Sequence, residues 1–378
     1  QLRAVRQALG ENKMIDAIIK LKDRILGRGD AAITIPVFDG ALKPNNLLED
    51  AEIFASLDAT QDLATDGKHL FVADGARVLR YEAATAHELH HFEQPVTALA
   101  CLPDGGIAVA LAGREVRIVG GTYDGTRWDA ADGSAFNAVN AISVSSEGTL
   151  LVTDGSTEQP TNNWKNDLMG LGSTGRVFEL TLRNGAIRTL ATGMAYAFGA
   201  CSVNGTTWVS ESWRHRVMSV NAGERPTPVT DSLPGYPSRL FAASGGGVWL
   251  TCFILRTQLV EFVLREHTFR KRMIQEIEPQ YWIAPALNSG NTFLEPMQGA
   301  HLKMMGVVKP WAPPRSYGLI IRLNEQGEIL YSMHSRFDGK NHGVTAAVEC
   351  QGHLYVLAKG RPTILRLSIA DAERSLKI

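Results

Sequence analysis

The chain has 378 residues, 44% hydrophobic and 20% charged, and a formal net charge of −1. A charge so close to zero gives no electrostatic ground for binding nucleic acid, and no apolar run of 18 or more residues is present to cross a membrane as a helix. The length suits one large core, and 36 glycines suit a fold with many turns.

Residues 1–28 predict an amphipathic helix, with Val5, Leu9, Ile15, Ile18, Ile19, Leu21 and Leu26 as an imperfect apolar stripe ended by Gly27 and Gly29. Such a helix packs on its own domain or on a partner; its Lys and Arg residues leave a peripheral membrane contact open. No signal peptide is read at the start, and residues 1–44 are taken as helix and linker.

From residue 45 onward one unit recurs: an apolar β-rich run, a polar turn and a second β run. Copies begin at His69, Gly106, Thr149, Thr206, Gly247 and Gly352. Most are preceded by a further short strand and a turn, as in Leu99-Ala100-Cys101-Leu102-Pro103-Asp104-Gly105, a hairpin signal. The first five copies are spaced by roughly 40 to 60 residues, which matches the blade of a β-propeller. The fold class expected is therefore all-β, a six-bladed propeller over 45–378. A helical and loop insertion, about 254–316, is expected between blades 5 and 6, with helix read over 258–283 and a long loop after it.

Cys101, Cys201, Cys252 and Cys350 lie in or beside apolar runs, with no CxxC and no zinc-ligand spacing. Buried free thiols and a reducing, cytoplasmic setting are expected, unless a segment ahead of Gln1 carries a different address. His87, His90 and His91 fall on a predicted hairpin and read as surface residues before a metal site. Ser210-Glu211-Ser212 lacks the glycines of a nucleophile elbow.

Several segments carry a family resemblance. They are Leu233-Pro234-Gly235-Tyr236-Pro237 followed by Gly247-Val248-Trp249-Leu250; Ser210 through Val217; Tyr317 through Gly327; and Val344-Thr345, Glu349, Gly352 and Leu354-Tyr355. Together, and in this order, they resemble the strictosidine synthase-like branch of the gluconolactonase and esterase propellers, over roughly residues 45–370.

That resemblance implies two chemistries. In the metal-dependent lactonases, carboxylates and asparagine amides from several blades hold a divalent ion, usually calcium, in the central channel, where it polarises an ester carbonyl. Carried over by position, the first-blade glutamate falls at Gln61 with Asp62 beside it, and the third-blade asparagine at Asn140. The fourth-blade asparagine falls at Phe198, and the fifth-blade aspartate at Ser238 with Arg239 next. Only Asn140 matches. Two neutral amides, Gln61 and Asn140, cannot balance a dication that Arg239 would repel, so tightly bound calcium is not expected. A shift of one residue, bringing in Asp62, leaves a Ca2+ site open. Strictosidine synthases need a glutamate four residues before the one at Glu349; Thr345 stands there, and a hydroxyl does not exchange protons near neutrality. No synthase activity is expected.

The catalytic candidates are Asp62, Arg239, His342 and Thr345. Tyr196, Phe198 and Tyr236 are the substrate-binding candidates, and Asn140 and Gln61 the metal candidates. The function expected is hydrolysis of a small-molecule ester or lactone at the channel, with Arg239 stabilising the oxyanion. Two alternatives stand beside it: a non-catalytic ligand-binding or interaction propeller that has lost its metal, and a lyase or condensing enzyme, which Thr345 argues against. Each candidate also has a plain structural reading: a loop histidine for His342, an arginine paired with a channel carboxylate for Arg239, wall packing for Tyr196 and Phe198, a turn acceptor for Asp62.

Overall fold

The computed structural model describes residues 35–146, 148–289 and 316–377, together with Glu295 and the strand pair 303–304 and 307–308. The expected helix over 1–28 and much of the expected loop over 284–316 lie outside the described residues.

Six four-stranded antiparallel sheets form the six blades. Their inner strands are Thr60–Thr65, Val96–Cys101, Val139–Ser146, Ala197–Val203, Gly235–Ala242 and Val344–Cys350. Each inner strand packs on the next, and the sixth returns to the first, closing the ring. The six repeats read from the sequence are the second strands. They are conspicuous because they are buried on both faces: Leu70–Asp74, Ile107–Leu111 and Val248–Leu255 are buried at every position. Outer strands are wetter; Thr85–His91, which carries His87, His90 and His91, is exposed or half-buried throughout. The hairpin turns use the expected residues. At Asp104-Gly105 the glycine takes φ +86°, and the carboxylate accepts from Gly106 N.

Blade 6 borrows its outermost strand from the start of the propeller. Glu52–Ser56 pairs with Thr363–Ser368, with Glu52 opposite Arg366 and Ser56 opposite Thr363. The ring is thus closed by hydrogen bonds between the two ends of the propeller.

The large insertion does not join blade 5 to blade 6. It opens inside blade 5, whose second strand ends at Leu255 and whose third and fourth are Gly318–Leu323 and Ile329–Ser335. The sequence repeat follows second strands, so it cannot tell which later strands belong to which blade.

Among the described residues, four α-helices sit outside the blades: α1 (Trp164–Gly170), α2 (Gln258–Arg265), α3 (His267–Glu276) and α4 (Ile369–Leu376). Thr257 caps α2 by accepting from Val260 N at 3.2 Å. Residues of α1, α2 and α3 share one apolar cluster with Tyr196, Phe198, Tyr236 and Phe253, and the end of the insertion reaches blade 6, where the Leu287 carbonyl lies against Gly343 and Gly360. None of the described helices is long and apolar enough to cross a membrane. All four cysteines are free, three of them buried, and burial pushes the Cys201 thiol up to about 12.

Candidate functional site

Every inner strand breaks its register at the same level. The bulges fall at Gln61, Thr97, Asn140, Phe198-Gly199, Ser238-Arg239 and Thr345. A bulge takes a residue out of the ladder and leaves its carbonyl without a strand partner. In a buried ring those carbonyls need donors. Three are met by hydroxyls of adjacent strands: Thr153 Oγ1 donates to Phe198 O at 2.6 Å, Ser210 Oγ to Ser238 O at 2.5 Å, and Thr251 Oγ1 to Arg239 O at 3.1 Å.

Those of Gln61, Thr97, Asn140 and Thr345 converge on one side chain. Arg239 Nη1 donates to Gln61 O and Thr345 O at 3.3 Å each, and Nη2 donates to Thr97 O at 2.9 Å and Asn140 O at 2.7 Å. Its Nε lies 3.0 Å from Asp62 Oδ1, an ion pair with both side chains almost fully buried. The Phe198 ring lies 5.5 Å from the guanidinium carbon. Arg239 therefore spans the channel and ties blade 5 to blades 1, 2, 3 and 6.

Asp62 is held in the same way. Its oxygens also accept from Leu63 N at 2.8 Å and Leu99 N at 2.9 Å. Burial pushes its carboxyl up to about 6, against the pull of Arg239 and the two amides. Its partner in the ring is the Arg239 guanidinium. All four terminal N–H groups of the guanidinium go to carbonyls and its Nε faces Asp62, so the donors an oxyanion would need are committed within the ring.

The structure brings Asp62, Arg239, Gln61, Asn140, Thr345 and Phe198 to one ring. Tyr196 joins it through Asn140: its hydroxyl donates to Asn140 Oδ1 at 3.5 Å, and Asn140 Nδ2 donates to Ala197 O at 3.0 Å. Tyr196 itself sits at φ +64°, stacked 4.4 Å from Trp213. Tyr236 and His342 are engaged elsewhere. The Tyr236 hydroxyl donates to Glu261 at 3.3 Å under α2. His342 Nε2 donates to Arg336 O and Nδ1 accepts from Ser316 Oγ, both at 2.7 Å, so its neutral ring is saturated, and burial lowers its pKa.

Two ring members were not foreseen. Thr97 contributes only a carbonyl, which no side-chain motif announces; its place follows from aligning the six bulges. Lys359, just after the second strand of blade 6, donates from Nζ to Gln61 Oε1 at 2.6 Å, and burial together with Arg239 lowers its amine to about 8.

These residues do not fit a calcium ion. Calcium wants six to eight oxygens and anionic ligands. Here the ring carbonyls face a guanidinium, the Asn140 amide is hydrogen-bonded at both ends, and the carboxylate is paired. No group of three or more His, Cys, Asp or Glu is placed to hold a metal among the described residues.

The ring also depends on close approach. A Cβ on Gly199 would lie 2.5 Å from Arg239 Cα and 2.6 Å from Leu240 N, both backbone atoms. Gly199→Ala is expected to destabilise the fold by about 2 kcal/mol or more, measured as a lowered denaturation midpoint. A midpoint equal to wild type would mean that blades 4 and 5 are not held this tightly.

No protein-family model matches the chain. The chain is 23% identical over 250 residues to adipocyte plasma membrane-associated protein of Salmo salar, covering 63% of this chain and 53% of that protein, so this match spans about half the relative's length. It is 22% identical over 374 residues to the Bos taurus protein of the same name, covering 88% and 82%. Both matches bear out the resemblance read from the motifs. Among solved structures, a putative gluconolactonase is 12% identical with a TM-score of 0.52, covering 86% of this chain and 96% of that one. A gluconolactonase of Xanthomonas campestris gives the same identity and TM-score over 85% and 90%. At such identity the likeness is one of fold.

Proposed function

We propose that this chain is a gluconolactonase-type propeller that binds a small molecule at its channel mouth without a metal ion. One observation carries the reading. The central channel, where the resemblance implies a cation, is crossed by the protein's own cation, Arg239, paired with Asp62 and bonded to carbonyls of four blades. A second positive ion at the same place would meet an uncompensated charge in a water-poor ring.

Hydrolysis of an ester or lactone is the second reading. It is favoured by two perturbed groups at this end of the channel, the buried Asp62 raised to about 6 and the half-buried Lys359 lowered to about 8, both near the range useful for acid–base work at neutral pH. Turnover of aryl esters and aliphatic lactones, with calcium and with EDTA, separates the two. Binding without metal-dependent turnover is expected. Turnover that EDTA abolishes and calcium restores would reject the first reading. Turnover indifferent to both but lost in Lys359→Met would favour the second.

A further inference from the structure

We propose that the channel mouth between blades 6 and 1 binds the carboxylate of a small organic acid, with Lys359 as its cation and Gln61 and Thr345 beside it. This rests on the small-molecule reading above and names the chemical class.

The first observation is charge. Asp62, Arg239 and Lys359 interact at this end of the channel, two cations against one carboxylate. Asp62 already faces Arg239 Nε and two backbone amides. Lys359 is left with a neutral acceptor, the Gln61 amide oxygen, at 2.6 Å. An ammonium has three donors, so that bond leaves room for an anion.

The second is an unpaired hydroxyl. Thr345 is 4% exposed, its carbonyl faces the guanidinium, and its Oγ1 has no hydrogen-bond partner among the described residues. Buried polar atoms are rarely left so. The third is access. Arg239, Asp62 and Thr345 are buried, whereas Lys359 and Gln61 are half-buried. Burial and the neighbouring Arg239 disfavour the Lys359 charge; an anion beside it restores that charge.

Calorimetric titration of the full chain with sodium gluconate, with sodium phosphate and with sodium chloride as control tests this. Saturable gluconate binding is expected at pH 7, weakened at least about tenfold in Lys359→Met and clearly weakened in Thr345→Val. With an amine near 8, wild-type binding is also expected to fall about tenfold between pH 7 and pH 9. The pH series decides the matter if Lys359→Met does not fold. Absence of saturable binding, equal affinity in Lys359→Met, or phosphate binding as tight as gluconate would overturn the assignment. Calcium-dependent turnover would overturn the metal-free reading alone, so the two failures are distinguishable.

Discussion

Arg239→Met is expected to lower the stability of the folded chain by about 3 to 5 kcal/mol, the range for breaking a buried ion pair by removing one partner. The substitution leaves Asp62 buried and unpaired and withdraws four N–H groups from carbonyls in four blades. Denaturant titration reads the loss. It should depend on pH in a defined direction. Burial already holds the Asp62 carboxyl up at about 6 even with Arg239 present; without the guanidinium the folded-state pKa rises further. A carboxyl raised on folding contributes stability that is full below its unfolded pKa and is lost as pH rises through the folded value. The variant should therefore be closer to wild type at pH 5 than at pH 8. Asp62→Asn combined with Arg239→Met should recover part of the loss at pH 8, because no buried charge remains. A loss below about 1 kcal/mol, or one independent of pH, would mean that the guanidinium does not hold the ring.

The second large effect belongs to Glu261, in the first turn of α2. This buried carboxylate accepts from Tyr236 Oη at 3.3 Å and Arg256 Nε at 3.1 Å, and lies 3.4 Å from His215 Nε2. Burial and Arg256 drive the His215 pKa well down, so the ring is neutral and the ion pair is with Arg256. Glu261→Ala is expected to leave Arg256 buried without its carboxylate, at roughly 3 kcal/mol, and to loosen the insertion from blades 4 and 5. Hydrogen exchange should show faster exchange over α2 and α3 with the blade strands unchanged. Arg272→Ala, which removes only an exposed i,i+4 pair with Glu276, is the control and should move stability by less than about 0.5 kcal/mol. Unchanged exchange over α2 in Glu261→Ala would show that apolar packing alone seats the insertion.

Much of the architecture was legible because burial repeats. Second strands such as Ile107–Leu111 are enclosed by neighbouring blades, so their apolar runs recur at blade spacing. The place of the insertion was not, because the sequence does not mark Gly318–Leu323 as the partner of Val248–Leu255 across 62 intervening residues. At the site, the positions carried over from the resemblance, Gln61, Asn140, Phe198 and Ser238-Arg239, fall at the bulges of their strands. What Arg239 does there was hidden. Its partners are backbone carbonyls up to 178 residues away, and a carbonyl has no sequence signature. His342 looked like a channel residue by position but is saturated by Ser316 and Arg336.

Calorimetric titration of the purified, EDTA-treated chain with calcium chloride is the most direct test of the central claim, that an internal guanidinium takes the place of a channel metal. No saturable binding tighter than about 0.1 mM is expected for wild type. Stoichiometric binding tighter than that, abolished by Asn140→Ala or Asp62→Asn, would contradict it.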